Sequence, residues 1–215
     1  MNPIRIFIGT DIHNVKAEQA LIYSIRRNTT REVEIHLMDQ TRNRGEEWQG
    51  WQNTGAWATC FSCFRWAIPA ACRFEGRAIY LDSDQLVLGD IGELFDIDME
   101  GKAFATSPSR ESSVAVFDCQ KFAGWEMFSL DHLKANAAKT GEYYQWLKAQ
   151  GEVSFFPQAW NELDELKADT KLIHYTKLPT QPWHPRPDKY EYKPHPDQAA
   201  ADLWFRYYVA SFEEA

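Results

Sequence analysis

Arg77-Ala78-Ile79-Tyr80-Leu81-Asp82-Ser83-Asp84 decides the fold class, because an apolar run ends without a break in two carboxylates one residue apart. Its first five residues read as a short strand. Strand ends at the carboxyl edge of a sheet are where α/β proteins place their ligands. Towards the amino terminus, Ile4 to Ile8 is another β-branched and aromatic run, broken by Gly9-Thr10-Asp11. Val15 to Arg27 then carries Ala17, Ala20, Leu21, Ser24 and Ile25 at helical spacing, and Val33 to Met38 reads again as a strand. Strand, helix, strand is the unit from which parallel sheets are built. The expectation is an α/β chain with a mostly parallel central sheet flanked by helices, forming a single domain over residues 1–215.

Towards the carboxyl terminus, residues 40–56 are polar and interleave Gly45, Gly50 and Gly55 with Trp48 and Trp51, which reads as a loop. A helix is expected from Trp57 to Cys72, kinked or shortened by Pro69. Further strands fit Ala103 to Ala105, Val114 to Phe117, Val153 to Phe156 and Leu172 to His174. Helices fit residues near 120–135, 141–149 and a C-terminal stretch at 198–215. Residues 176–196 hold Pro179, Pro182, Pro185, Pro187, Pro194 and Pro196, so they form neither helix nor central strand. They are expected to be an extended strap packed back on the domain.

The 31 Asp and Glu outnumber the 23 Lys and Arg, for a formal net charge of -8. That sign excludes broad attraction to a phosphate backbone, so nucleic acid is not the expected partner. An anionic ligand would need a local device to reverse the field. No apolar run approaches the roughly 20 residues of a membrane span, and Met1 to Gly9 lacks the pattern of a signal peptide, so the expected location is cytoplasmic. Four cysteines, unevenly spread, do not suggest a disulfide scaffold. Nine tryptophans serve equally well as core fillers or as flat faces for sugar rings.

Asp82 and Asp84 can converge on one hard cation such as Mg²⁺ or Mn²⁺ if the chain bends after the strand. The alternative is a solvated acidic turn. His174 ends another strand-like run, Lys171-Leu172-Ile173, and either completes that site or is a hydrogen-bonded structural residue. Cys60 and Cys63 have no second Cys or His pair at finger-like spacing and do not make a zinc or redox reading. The chain holds no Gly-x-Gly-x-x-Gly, Walker loop or Gly-x-Ser-x-Gly, which removes the usual dinucleotide, nucleoside-triphosphate and hydrolase readings.

Read in order, the pieces resemble glycosyltransferase family 8, the retaining nucleotide-sugar transferases. They are Gly9-Thr10-Asp11, Ser24-Ile25, Ser62-x-x-Arg65, Ala78 to Asp84, Gly89-Asp90-Ile91-Gly92-Glu93-Leu94-Phe95-Asp96, Trp160-Asn161, and His174-Tyr175-Thr176-Lys177-Leu178-Pro179-Thr180-Gln181-Pro182-Trp183. The resemblance covers residues 4–183. It implies the nucleotide-diphospho-sugar transferase fold of GT-A type and a metal-dependent transfer of a hexose from a UDP-sugar. The acceptor is a hydroxyl of a glycan, a lipid-linked saccharide or a protein. By the same resemblance Asp82, Asp84 and His174 match Mn²⁺ (or Mg²⁺) ligands, and Asp11 matches an acid that reads the uracil. Thr10, His13 and Ser83 lie beside those positions in the donor site, and Arg65 matches an arginine that approaches the nucleotide sugar. The alternative for Arg65 is a salt bridge to one of the aspartates.

Departures from the family pattern shape the remaining expectations. The last motif is one residue longer and has Gln181, a further donor-site candidate, before Pro-Trp, so phosphate neutralisation falls to Lys177 or to the metal alone. Ser113 and Glu111 stand where the family has Gly and Asn. Its Asp-Gln-Asp segment has only Gln145 as a nearby counterpart. Asn161 and Asp164, beside Trp160, are the expected polar contacts to the sugar, and Trp183 either stacks on it or anchors the strap. A catalytically degenerate nucleotide-sugar-binding protein is the alternative, and whether the chain forms a homo-oligomer stays open.

Overall fold

The computed structural model describes residues 3–56, 59, 61–109, 112–139 and 141–213. Among these residues nine strands run β1 Ile4–Gly9, β2 Val33–Met38, β3 Arg77–Asp82, β4 Gln85–Val87, β5 Phe104–Thr106, β6 Val114–Asp118, β7 Val153–Phe155, β8 Glu162–Leu163 and β9 Leu172–His174. The helices are α1 Val15–Arg27, α2 Ile68–Ala71, α3 Ile91–Phe95, α4 Leu130–Ala135, α5 Glu142–Ala149 and α6 Gln198–Glu213. The central sheet has the order β2-β1-β3-β6-β5-β7, and a three-stranded sheet has the order β4-β9-β8. In the central sheet only β6 runs against the others, because β3 and β5 both pair with it antiparallel while the remaining pairings are parallel. The mostly parallel α/β architecture read from the sequence is therefore what the chain adopts.

Alternation along the strands sorts the core into two chemistries. Ile4, Ile6, Ile8, Ile79, Leu81, Val114 and Val116 face one side, where α1 supplies Leu21 and Ile25. Phe7, Tyr80, Phe104 and Phe117 face the other, against Trp48, Trp51, Phe64 and Trp66. A third cluster joins Trp183 and Trp204 to Tyr175 and Ala20. These tryptophans are core residues, which answers for most of the unusual indole content.

Three expectations change. Instead of a helix from Trp57 to Cys72, a 3-10 turn at Phe64–Ala67 leads into the four-residue α2, with Pro69 in its first turn. Trp57, Ala58 and Cys60 lie outside the described residues. The bulky Phe61, Phe64 and Trp66 all enter the aromatic core, which a single regular helix would not allow. The expected helix near 120–135 is split into 3-10 turns at Cys119–Phe122 and Glu126–Phe128 followed by α4, with Gly124 at φ 89° between the turns. The strap is folded rather than extended: Lys193 N donates to Pro179 O (2.8 Å), and His184 stacks on Tyr192 with centroids 4.2 Å apart. Trp183 anchors it, 4% exposed and 5.4 Å from Trp204. Glu111, together with the last residues of the expected 198–215 helix, Glu214 and Ala215, also lies outside the described residues.

Candidate metal centre and adjoining cleft

The ends of β1 and β3 lie side by side, with Gly9 in register with Asp82. Glycine is required there, since a Cβ on Gly9 would lie 2.6 Å from the Tyr80 hydroxyl and 2.7 Å from Phe61 Cδ2. Beyond Asp82 the chain turns through Ser83, whose N donates to Gly9 O (3.0 Å), and enters β4. β4 pairs antiparallel with β9 so that Gln85 faces His174. Two short strands thus carry the histidine from the far end of the sequence to the acidic turn. Ligand atoms of Asp82, Asp84 and His174 all lie within 4.8 Å of one another.

Hydrogen bonds behind His174 fix its tautomer. Asn161 Nδ2 donates to Ser107 Oγ (2.8 Å), Ser113 Oγ (3.1 Å) and the Ser109 carbonyl (3.1 Å), and a carbonyl can only accept. Asn161 Oδ1 therefore faces His174 Nδ1 at 3.0 Å, closer than the amide nitrogen of Gln85 at 3.4 Å, and this shorter contact favours a proton on Nδ1. Nε2 then presents a lone pair 3.1 Å from Asp84 Oδ1. Both atoms are buried without a hydrogen-bond partner. Two acceptors face to face in a buried site are unfavourable unless a positive charge joins them, either a proton on Nε2 that makes the pair a salt bridge or a metal ion that both ligate. Two carboxylates and one imidazole suit Mn²⁺, and Mg²⁺ less well because of the nitrogen.

Arg65 balances the other carboxylate. Its Nη2 lies 3.3 Å from Asp82 Oδ1, its guanidinium carbon 4.4 Å from the Tyr80 ring centre, and its Nε donates to Ser62 O (2.9 Å). Nη1 donates to the Ser112 carbonyl and to Ser112 Oγ. The salt bridge to an aspartate is thus present. Burial works against the Arg65 charge, but Tyr80 and Asp82 hold its pKa above the ordinary value. Burial also pushes the Asp82 carboxyl above the usual carboxylate range against the pull of Arg65, with the charge of Asp84 adding to the shift. Tyr80, raised well above its ordinary value by burial, stays a neutral donor to Asp82.

A cleft of about 440 Å³ opens over this group. Arg65, Asp82, Ser83 and Asp84 line one part of it, Gln145 and Tyr144 come from α5, and Leu178 and Gln181 from the strap. Gln181 Nε2 donates to Asp84 Oδ2 (3.1 Å) and to Tyr175 O (2.7 Å), tying the strap to the acidic turn. Gln145, distant in sequence from every other candidate, is therefore brought to the same cleft.

Other expected site residues stand apart from the cleft lining. Asn161 is fully buried behind His174, with its amide spent on that ring and the serines. Asp164, at φ 55°, accepts from Thr176 N (2.8 Å) and Thr176 Oγ1 (2.6 Å) and fastens the start of the strap. Lys177 is 61% exposed, with Nζ 3.9 Å from Asp164 Oδ2. Thr10 is buried and donates to Glu18 Oε2 (2.9 Å). Asp11 Oδ1 accepts from His13 N and Asn14 Nδ2, both at 2.9 Å, while His13 is exposed.

Comparison with known structures places the fold. The apo form of the glycosyltransferase GlyE in Streptococcus pneumoniae TIGR4 superposes with a TM-score of 0.70 at 15% identity, covering 100% of this chain. The chain spans 63% of that GlyE chain, under two thirds of its length. Galactosyltransferase LgtC, solved with donor and acceptor sugar analogs, matches with a TM-score of 0.64 at 14% identity over 96% of each chain. The fold is that of the GT-A glycosyltransferases. Protein CDI of Arabidopsis thaliana is 26% identical over 232 residues, 94% of this chain and 85% of its own. No family model matches the chain. Among the described residues no helix is long and apolar enough to cross a membrane.

The sequence reading missed Tyr80, Ser112 and Asn14. Tyr80 had a local signal: residues two apart on a strand share a face, which puts it beside Asp82. Ser112 had none, because its contact with Arg65 spans 47 positions. Asn14 lines the cleft and accepts from Trp183 Nε1 at 3.3 Å, a contact 169 residues long.

Proposed function

We propose that the chain is a metal-dependent glycosyltransferase that moves a hexose from a UDP-sugar to an acceptor hydroxyl of a glycan, a lipid-linked saccharide or a protein, with retention at the anomeric carbon. The observation that carries the reading is the pair of facing, unpartnered acceptors on Asp84 and His174 beside a cleft at the sheet's carboxyl edge. When bound, a divalent cation there supplies Lewis-acid stabilisation to the diphosphate leaving group. It also supplies the local positive charge that a chain of net charge -8 otherwise lacks. Asn161 holds the His174 lone pair toward the cation. Arg65 lies within reach of the same negative charge. Lining the cleft, Gln145 can orient sugar hydroxyls but offers no acid, base or nucleophile. Among the described residues that line the cleft, Asp82 and Asp84 are the only carboxylates. A cytoplasmic site of action belongs to the same reading.

The test is incubation with Mn²⁺ and a panel of UDP- and GDP-sugars, following donor consumption and thermal stabilisation. Consumption of a UDP-sugar that stops on chelation is the expected result; turnover indifferent to chelator overturns the reading. The neutral Gln145 on the cleft wall fits one alternative, a nucleotide-sugar-binding protein without turnover. Metal-dependent UDP-sugar binding with no donor consumed would select it.

A further inference from the structure

We propose that the chain forms a twofold homodimer through an exposed apolar stripe on α6. Phe205, Val209 and Phe212 follow at four and three residues, so they lie on one face of the helix. They are 49%, 53% and 60% exposed. The helix is already satisfied on another face, where Ala200, Trp204 and Ser211 are buried and pack toward α1. The stripe is therefore surplus to the core, and contiguous exposed apolar surface of this kind marks an interaction site.

Three features select a second copy as occupant. First, the stripe is self-complementary. An antiparallel pairing of two α6 helices about Val209 sets Phe205 beside Phe212 of the partner subunit, twice over, as an isologous interface requires. Second, Phe205 borders a groove of about 380 Å³ that Pro182, Tyr192, Pro194 and Ala201 also line. A protruding phenylalanine and a groove two helical turns away, about 10 Å, form a knob and a hole on the same surface. Third, the charges agree. The same antiparallel register brings Arg206 opposite Glu213 of the partner subunit, and neither side chain has an ion pair among the described residues. A lipid surface fits less well: α6 carries Asp202 and Glu213 against Arg206 alone, on a chain of net charge -8. A stable interface needs roughly 1,200 Å² or more in total, beyond what three side chains supply, so the groove at Pro182 and Tyr192 has to take part.

Sedimentation equilibrium of the full chain gives the test. Wild type should show twice the 25.0 kDa of one chain, dissociating on dilution. Phe212→Asp should run at the mass of one chain while keeping its melting temperature and Mn²⁺ binding. Arg206→Glu should also dissociate the pair, and Arg206→Glu combined with Glu213→Arg should restore it, which keeps the test decisive if Phe212→Asp fails to fold. A wild type that stays at single-chain mass to high micromolar concentration overturns the proposal. So does a folded Phe212→Asp variant that remains double. Single-chain wild type that pellets with phosphatidylcholine vesicles, and loses this with Phe212→Asp, assigns the stripe to lipid instead.

Discussion

Two buried polar clusters sit at the carboxyl edge of the central sheet, the second completed by β9 of the three-stranded sheet, and they differ in whether their hydrogen bonds close. After β1 and β2, Glu18 accepts from Thr10 (2.9 Å) and from both ends of the Arg42 guanidinium (3.0 and 2.6 Å). Asp39 accepts from Thr41 N (2.8 Å), from Thr41 Oγ1 (2.7 Å) and from Arg42. Every carboxylate oxygen there has a donor. After β3 and β9, Asp84 Oδ1 and His174 Nε2 have none. Burial and charge alone would rank the two clusters alike. Unfilled acceptors separate a site from a brace, because folding tolerates an unpaired buried polar atom only where something else compensates it.

The hardest test of that contrast is Asp84→Asn. It should remove Mn²⁺ binding by calorimetry, an effect beyond the ~10–100-fold typical of losing an outer partner of a metal ligand. Yet the metal-free variant should melt no lower than wild type, since Asp84 Oδ1 gains nothing from its neighbours. A strong loss of stability with intact Mn²⁺ affinity would make this cluster a brace like the first.

Asn161→Ala comes next. With no acceptor for Nδ1, the His174 proton is free to move to Nε2, and Mn²⁺ affinity should fall by about 10–100-fold. Affinity equal to wild type would mean the imidazole does not bind the ion. This residue also shows where sequence reading stops. Asp82, Asp84 and His174 were legible because each ends a short apolar run, and a strand end at the sheet edge points to a ligand. Asn161 was visible only as a polar residue beside Trp160. Its work depends on Ser107 and Ser113, more than 40 positions away in the chain and brought near only by β5 and β6. β4 and β8 were equally hidden: runs of three and two residues carry no period, and their pairing with β9 is what creates them. Between Phe61 and Ala71 the helical spacing was present, but Phe61, Phe64 and Trp66 were claimed by the aromatic core, so tertiary packing overrode it.

In the closed cluster the signs reverse. Glu18→Gln should cost about 2 kcal/mol in urea unfolding, because it turns two charge-assisted bonds to Arg42 into one weak bond and leaves that cation balanced by Asp39 alone among the described residues. One third of Arg42 is exposed, which keeps the loss below that of a fully buried pair. Mn²⁺ affinity should not change. A drop in affinity would show that the two clusters are coupled across β1 and β3.

The smallest effect is a pH dependence at Asp39. Burial alone would push its carboxyl up, but the bonds from Thr41 and Arg42 win and hold it below the ordinary 3.8. At Asp82 burial outweighs the pull of Arg65, the charge of Asp84 adds to it, and the shift runs the other way. A carboxyl that binds its proton more weakly in the folded state stabilises that state wherever it is ionised, above its unfolded value. The contribution is then lost as pH falls through the depressed folded value. Asp39→Asn should therefore be less stable than wild type by about 1–2 kcal/mol at neutral pH. The gap should hold down to the ordinary carboxylate range and close only below 3.8. Unfolding titrations of the two proteins across that range measure it directly. A gap that closes above 3.8 would mean that Asp39 feels an unpaired acceptor after all, and would erase the distinction between the two clusters.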